Sequence, residues 1–356
     1  MYKGFLGSYK GNKIHNYKPE PIPEMVEKKT IPEKEKIIEK PLNFEYHYQF
    51  LDETQRFVYR QICDAVCEEK KFICVQCKKE DVASIIEYVI DDHPLFFHVS
   101  FRFAADGFSP FMIFIDYLMD GQRYKDENAR LCSSVPRFNG DAVHIEKEVR
   151  NYILSKTRHP HQGERSSSTD SIYGVITEHV GTDEGIVRTI AFMLNINGIC
   201  SSVIRGYVDN SPHMWNVVKI GNSYGHMDPA LDVGDDGTLF YVYFNLTDKR
   251  MSMTHKWDFP THCNDPLIRY LGENSCRASD LIEAEDRISL MIRSKKRDFS
   301  IFMIGNTHYA RETIMRTAKE TLRKNGISDS EIRLMRCDED QQVFVFSVSQ
   351  NADSLN

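Results

Sequence analysis

Apolar residues recur at helical spacing in several segments of the chain. In one segment the apolar positions fall on a single helix face, and Gly198 stands where that helix would end, in the place that favours glycine. Asp52, followed three residues later by Gln55, is typical of a capping box that opens a helix. The predicted helices are 52–66, 81–90, 141–156, 183–197 and 310–324.

Runs of β-branched and aromatic residues predict strands between these helices. In the middle of the chain, three such runs directly follow the helix 183–197, and the dipeptide Gly221-Asn222 predicts a tight turn that joins the last two as a hairpin. The predicted strands are 71–75, 96–101, 111–117, 201–208, 214–220, 223–228, 299–304, 331–336 and 343–348. The pattern as a whole predicts an α+β fold.

Residues 1–43 differ from the rest of the chain. They contain prolines at 19, 21, 23 and 32 among lysines and glutamates, and little apolar surface to offset the entropy of ordering. We therefore predict a disordered tail or tether, with the globular part beginning at Phe44. The expected divisions are 44–160, an N-terminal α+β region; 161–260, a core; and 261–356, a C-terminal accessory segment of order β-α-β-β.

The composition of the chain narrows the classes of partner and the cellular location that we expect. Hydrophobic residues make up 41% of the chain, enough for a folded core, and the net charge of −7 argues against a dedicated nucleic-acid or anionic-membrane surface. The first residues lack the apolar region of a signal peptide, and no apolar run has the length of a membrane span. An odd number of cysteines, nine, predicts free thiols in a reducing compartment and hence a cytoplasmic protein.

Residues 173–232 resemble the core of bacterial transglutaminase-like proteins. The phrases that carry the resemblance are Tyr173-Gly174, Asp183-Glu184-Gly185 at a helix start, His213-Met214-Trp215 on a strand, and Asp228-Pro229 after the next strand. Weaker likeness extends over roughly 44–350 and includes His255-Lys256-Trp257-Asp258. The resemblance implies a transglutaminase/papain-like core, in which a helix carrying the catalytic position packs on an antiparallel sheet.

The same resemblance assigns roles to individual residues. Asp183, His213 and Asp228 occupy the positions of the family's Cys-His-Asp triad. The residues expected to line the cleft are Tyr173, Gly185, Trp215 and His226, the last because it alternates with Asp228 on one strand face. His213 is open to two interpretations: a general base oriented by Asp228, or one half of a buried His–Asp pair that is retained for stability alone.

The departure from the family lies at position 183, where a carboxylate replaces the thiol. We expect Asp183 to cap the helix, where the helix dipole favours a negative charge, and to form an ion pair with His213. A carboxylate that attacked an acyl group would give only an anhydride. The sequence therefore predicts a catalytically inactive protein- or peptide-binding module. The alternatives are a hydrolase or acyl-transfer enzyme with altered chemistry at Asp183, His213 and Asp228, with or without a metal, and a structural subunit whose cleft is filled by side chains such as Met214.

Two cysteine pairs have a spacing that is compatible with zinc. Cys63 and Cys67 fall on a helix with apolar neighbours, however, and Cys74 and Cys77 point to opposite faces of a strand, so buried thiols are favoured. The sequence therefore predicts no bound metal and no cofactor, and it does not predict an oligomeric state.

Overall fold

The computed structural model describes residues 45–103, 110–234, 237–328 and 331–349. The predicted tail, 1–43, lies outside the described residues. Within them, eight α-helices and twelve strands form an α+β fold with three separate sheets. None of the helices in this part of the chain is long and apolar enough to cross a membrane.

The first sheet belongs to the N-terminal region. Its elements are α1 (Glu53–Cys67), β1 (Phe72–Val75), α2 (Lys79–Asp92), β2 (Val99–Phe103) and β3 (Phe111–Tyr117). The strands are antiparallel in the order β1-β3-β2. The predicted capping box at Asp52 and Gln55 is present. β2 begins later than predicted because Pro94–Phe96 forms a turn of 3₁₀ helix, whose first position suits proline.

The second sheet forms the centre of the molecule. Its strands are β4 (Ser201–Val208), β5 (Ser211–Ile220), β6 (Ser223–Met227), β7 (Phe244–Leu246) and β8 (His255–Lys256), in the order β7-β6-β5-β4-β8. The accompanying helices are α3 (Gly121–Ser134), α4 (Ala142–Lys156), α5 (Asp183–Ile196) and α6 (Asp248–Met251). Gly221, at a φ of 61°, makes the predicted hairpin turn between β5 and β6.

The helix α5 covers one face of this central sheet. Its apolar stripe shares a buried cluster with Val218 of β5 and Met227 of β6. Gly198, at a φ of 82°, follows the end of the helix as predicted. The packing places the N-terminal turn of α5 beside β5, the strand that carries His213. The candidate site depends on this geometry.

The third sheet lies in the C-terminal region. Its elements are β9 (Ser275–Ala278), α7 (Leu281–Arg293), β10 (Asp298–Met303), α8 (Arg311–Lys324), β11 (Ile332–Asp338) and β12 (Val343–Val348), with the strand order β11-β12-β10-β9. The predicted β-α-β-β order is present but incomplete, because β9 and α7 precede it. β9 is a short edge strand parallel to β10. α7 buries Ala284, Ile288 and Ile292 at helical spacing, a pattern that the sequence analysis overlooked.

One buried cluster joins the regions that the sequence predicted to be separate. Trp215 and Ile204 of the central sheet share it with Phe302 and Val343 of the C-terminal sheet and with Tyr46, close to the start of the described chain. The core therefore continues across position 260, the predicted end of the central region.

A buried ion network ties α2 to the central sheet. The side chain of Asp91 is fully buried and accepts hydrogen bonds from Nε and Nη2 of Arg205 at 2.6 and 2.8 Å. Nη2 of Arg188, on α5, donates to the same carboxylate at 3.3 Å. Burial would raise the pKa of Asp91, but the two guanidinium groups outweigh it and lower that pKa, so the carboxylate is ionised.

A second buried polar contact joins α4 to β7. Glu146 is fully buried, and its Oε2 accepts a hydrogen bond from Nδ2 of Asn245 at 2.7 Å. Burial raises the pKa of Glu146 to about 8, although the Asn245 hydrogen bond and the charge of Arg150 oppose the shift. This glutamate is therefore largely protonated at neutral pH.

Candidate functional site

Two histidines from separate strands of the central sheet meet at one carboxylate. Asp228, which follows β6, accepts hydrogen bonds on Oδ2 from Nε2 of His213, on β5, at 2.6 Å and from Nε2 of His255, on β8, at 2.9 Å. β8 pairs with the end of β4, where Val208 lies opposite His255, and this pairing brings His255 to the site. His255 and Asp228 are buried, whereas His213 remains partly accessible.

The Asp228 carboxylate is fully satisfied. Its Oδ1 accepts hydrogen bonds from the backbone N–H groups of Ala230 and Leu231 at 3.0 and 3.3 Å, while Oδ2 takes the two imidazoles. Burial would raise the pKa of Asp228, but the hydrogen bonds from His213 and His255 outweigh it and hold that pKa well below its usual range. Asp228 is therefore a fixed negative charge.

His213 forms the accessible end of this arrangement. Burial would lower the pKa of His213, but the hydrogen bond to Asp228 outweighs it and raises that pKa above its ordinary value. Because Nε2 is held by Asp228, Nδ1 is the ring nitrogen left for another partner. The structure gives His213 the orientation that a general base needs, with its far nitrogen held by a carboxylate.

A cavity of about 490 Å³ lies beside His213. The first turn of α5 borders it through Asp183 and Ile186, and the loop after Asp228 borders it through Ala230 and Leu231. Most of the remaining walls are apolar, with His159, Asp209 and Ser211 as further polar groups. No cysteine borders this cavity within the part of the chain that the structure describes. A separate depression of about 330 Å³ runs along the exposed face of α8, far from any His–Asp pair.

Asp183 has a different local role from the predicted one. The cap of α5 is Thr182, whose Oγ1 accepts from the backbone N–H of Gly185 at 3.4 Å, and Asp183 is the first residue of the helix. The carboxylate of Asp183 is half exposed, and its ion-pair partner among the described residues is His159, at 3.9 Å, rather than His213. The predicted cap and ion pair are therefore wrong, although the charge of Asp183 does help to raise the pKa of His213.

The four residues predicted to line the cleft do not border the cavity. Trp215 is fully buried behind His213, with ring centroids 6.2 Å apart, and its Nε1 donates to Nδ1 of His226 at 2.9 Å. His226 is also fully buried, since Trp257 covers its ring at 4.9 Å. Both His226 and Asp228 are buried, so His226 does not form a wall of the cleft.

Tyr173 and Gly185 likewise pack against neighbouring elements and not against the cavity. The ring of Tyr173 stacks on Phe97 at 5.7 Å between centroids. Gly185 lies so close to the preceding loop that an added Cβ would be 2.3 Å from the carbonyl oxygen of Thr169. Gly185 is therefore required for the close approach of α5 to that loop, and a side chain at this position would push the first turn of the helix away.

His255 is the site residue that the sequence analysis missed. It lies 27 positions after Asp228, in a strand of two residues. Its one signal in the sequence is its place in the phrase His255-Lys256-Trp257-Asp258, which carries no information about a contact with Asp228.

Two groups of side chains among the described residues bring metal-ligand atoms within 4.8 Å of one another: His213, Asp228 and His255, and His226, Asp248 and Cys263. Asp183 belongs to neither group, so the set Asp183, His213 and Asp228, considered above as a metal site, is not assembled. The cysteines at 63, 67, 74 and 77 are also outside both groups. Cys63 is buried with its Sγ 3.4 Å from Nε2 of His93, whereas Cys67 and Cys74 are exposed.

The His213–Asp228 pair has a predictable effect on stability. We expect His213→Ala to lower the free energy of unfolding by about 1–3 kcal/mol, since Asp228 loses one of its hydrogen bonds. Because the folded pKa of His213 is raised, the contribution of the pair is complete below the unfolded pKa of about 6.5 and decreases as the pH rises through the folded value. Urea denaturation of wild type and variant between pH 5 and 9 measures this difference.

The matched control for this prediction is His159→Ala, because His159 is exposed and makes only a long ion pair. That change should alter stability by less than about 0.5 kcal/mol at every pH. Equal effects of the two substitutions, or a difference for His213→Ala that grows with pH, would contradict the assigned pairing.

Comparison with known proteins gives only distant likenesses. No family model matches the chain, and no curated protein matches it. Among solved structures, a candidate cysteine protease from Cytophaga hutchinsonii is similar over 40% of this chain and 65% of that one, with 12% identity and a TM-score of 0.26. A protein described as a TGase is similar over 51% of this chain and 52% of the other, with 14% identity and a TM-score of 0.23.

Menin, in a structure described as revealing the binding site for Mixed Lineage Leukemia protein, is similar over 58% of this chain and 53% of its own, with 10% identity and a TM-score of 0.24. Each of these matches spans less than two thirds of the other chain. Likenesses this distant do not assign the chain to a family, so the transglutaminase-like relationship remains the prediction made from the sequence.

Proposed function

We propose that this chain is a transglutaminase-like protein whose cavity beside His213 binds a segment of a protein or peptide and does not carry out thiol chemistry. The supporting observation is the side chain at position 183. The start of α5 borders the same cavity as His213. The resemblance places a cysteine nucleophile at this position, and the half-exposed carboxylate of Asp183 occupies it. A carboxylate cannot form the thioester on which that chemistry depends.

The shape and lining of the cavity support binding. Its volume of about 490 Å³ falls within the range of roughly 300–1,000 Å³ that is typical of ligand pockets. The walls combine apolar side chains with the polar groups of His159, Asp183, Asp209, Ser211 and His213. This combination suits an apolar side chain of a peptide whose neighbouring backbone amide or basic group reaches one of the polar groups.

A peptide-display experiment tests the binding role. Random peptides selected on the wild-type protein should lose binding to Ala230→Arg, because the new side chain fills the cavity from its wall. Ala129→Arg, an exposed position on α3, is the matched control and should leave binding unchanged. If wild type selects no peptides, or if Ala230→Arg binds them equally well, the proposed role is wrong.

A second candidate is a hydrolase with altered chemistry at Asp183, His213 and Asp228. The observation that favours it is the orientation of His213, because Nε2 is held by Asp228 and Nδ1 is left for a water or a substrate proton. Hydrolysis of ester or peptide substrates that is abolished by His213→Ala in a folded variant would support this candidate over a catalytically inactive binding protein.

Restoring the thiol tests whether position 183 is the family's nucleophile position. In Asp183→Cys, we expect the new cysteine to react with iodoacetamide at pH 6 about 10–100-fold faster than an ordinary thiol, because the helix start and His213 favour the thiolate. Mass mapping of position 183 over time measures the rate separately from the nine native cysteines.

The control for this measurement is Asp209→Cys, at the border of the same cavity but away from the helix start. The double variant Asp183→Cys/His213→Ala should return position 183 to the ordinary rate. If Asp183→Cys reacts no faster than Asp209→Cys, position 183 is not the family's nucleophile position. Wild type itself should incorporate no fluorescent amine into a glutamine-containing protein.

A further inference from the structure

We propose that His213, Asp228 and His255 form a binding site for a divalent first-row transition metal ion such as Zn²⁺. The three side chains present two imidazole nitrogens and one carboxylate oxygen within 4.8 Å of one another. This is the ligand number of catalytic zinc sites, in which three protein ligands leave a further position open. The proposal rests on this geometry and is independent of the peptide-binding role.

The distances require only small movements. Asp228 Oδ2 lies 2.6 Å from Nε2 of His213 and 2.9 Å from Nε2 of His255. Ligand atoms in a tetrahedral zinc site, with bonds of about 2.0–2.2 Å, are about 3.3–3.5 Å apart. Each imidazole would therefore withdraw from Oδ2 by less than about 1 Å. His213 has room for this movement, since it borders the cavity.

The groups around the three ligands suit a metal. A metal-binding imidazole donates its second N–H to a neighbouring oxygen, and Nδ1 of His255 lies 2.8 Å from Oγ1 of Thr254. The hydroxyl of Thr254 can then donate to the carbonyl oxygen of Met251 at 3.5 Å. Asp228 Oδ1 is engaged by the backbone N–H groups of Ala230 and Leu231, which leaves Oδ2 for the ion.

The balance of charge and ligand type defines the class of ion. Imidazole with a carboxylate favours Zn²⁺, Fe²⁺ or Co²⁺ over Mg²⁺ and Ca²⁺, which take sets made of oxygens. One carboxylate leaves a net positive charge at the site.

The second group of possible ligands, His226, Asp248 and Cys263, is less suited to a metal. The thiol of Cys263 is buried, and Nδ1 of His226 accepts a hydrogen bond from Trp215 Nε1 at 2.9 Å. Nε2 of His226, which pairs with Asp248 at 2.9 Å, must therefore carry the ring proton and is not free to bind a metal. This second group supplies a control, because it contains sulfur and the proposed site does not.

Titration of the metal-free, untagged full-length chain with Zn²⁺ tests the proposal. We expect one equivalent to bind, with no binding of Mg²⁺ at the same concentration. His213→Gln and His255→Gln should each weaken binding by more than about 100-fold, and Thr254→Val, which removes the outer hydrogen bond, by about 10–100-fold. Cys263→Ser is the matched control and should bind as wild type does.

Substitution with Co²⁺ identifies the ligands directly. The proposed site should give the visible bands of four- or five-coordinate Co²⁺ without the ultraviolet charge-transfer band of a thiolate ligand. Circular dichroism shows whether each variant is folded. If His255→Gln unfolds, the Zn²⁺ affinity of His213→Gln, at the more accessible residue, is the test of the ligand assignment. Absence of Zn²⁺ binding to wild type, binding that survives in His213→Gln, or a thiolate band lost in Cys263→Ser would each overturn the proposal.

Discussion

Asp91→Ala is expected to lower the free energy of unfolding by about 3–5 kcal/mol. The substitution removes the buried carboxylate to which Arg188 and Arg205, both almost fully buried, donate. Glu184, 2.8 Å from Arg188 and 3.7 Å from Arg205, remains as a shared acidic partner for the two positive charges. Removing one partner of a buried ion pair costs far more than the pair contributes, because the remaining charge stays in a medium of low dielectric. Urea denaturation monitored by circular dichroism measures the change.

An exposed ion pair supplies the comparison. Asp116 accepts two hydrogen bonds from Arg102, at 2.5 and 2.9 Å, but both side chains lie largely in solvent. Asp116→Ala should therefore cost less than about 1 kcal/mol, since water replaces the lost partner. If Asp91→Ala does not fold, Asp91→Asn is measured in its place, because it keeps the shape of the side chain and removes the charge. Its free energy of unfolding should still be well below that of Asp116→Ala. Equal losses at positions 91 and 116 would show that the inner network does not stabilise the fold.

Glu146→Gln is expected to remove a large part of the pH dependence of stability. The folded pKa of Glu146 is raised to about 8 from an ordinary 4.5. Its contribution to stability is therefore complete below about pH 4.5 and decreases as the pH rises through 8, by up to about 1.4 kcal/mol per pH unit. Glutamine cannot ionise, so the variant should gain about 3–5 kcal/mol relative to wild type between pH 5 and 9.

The surroundings of Glu146 explain why glutamine should fit. Oε1 of Glu146 and Oδ1 of Asn245 both lack a hydrogen-bond partner among the described residues. A protonated Glu146 carries an O–H donor, and the side-chain amide of glutamine carries N–H donors. The ionised form has no donor to offer an unpaired acceptor nearby, which adds to the cost of burying its charge.

Chemical denaturation at intervals between pH 5 and 9 tests the Glu146 prediction. Glu148→Gln, on the same helix but partly exposed to solvent, is the control and should follow the wild-type profile. Asp232, whose pKa burial raises to about 6, is present in all three proteins, so its contribution cancels in the differences. Profiles of wild type and Glu146→Gln that run parallel would show that this carboxylate is not protonated in the folded state.

Most of the elements could be predicted where apolar periodicity is clear. The stripe of α5 and the Gly221-Asn222 turn are local features, so a short window of sequence contains them. α3 was missed because it buries a single side chain, Leu131, and its sequence is polar. β8 was missed for another reason: a strand of two residues has no period, and only its pairing with β4 defines it.

Only part of the candidate site could be predicted from the sequence, because the rest depends on contacts between distant parts of the chain. The positions of His213 and Asp228 followed from a family pattern, and the structure does bring them together. The partner of Asp183 could not be predicted, because it depends on how the chain before α5 presents His159. The burial of Trp215 and His226 likewise depends on Trp257 and on the C-terminal sheet, which are distant in sequence.

The position of the tryptophans has a practical consequence. The chain contains two, Trp215 and Trp257, and their rings touch edge to face at 5.8 Å behind the cavity. Trp215 also lies against the ring of His213. The intrinsic tryptophan fluorescence of the protein therefore originates in this one place. Protonation of His213, occupation of the cavity or separation of the C-terminal sheet should each change its intensity, so the molecule carries an optical probe of its own site and needs no added label.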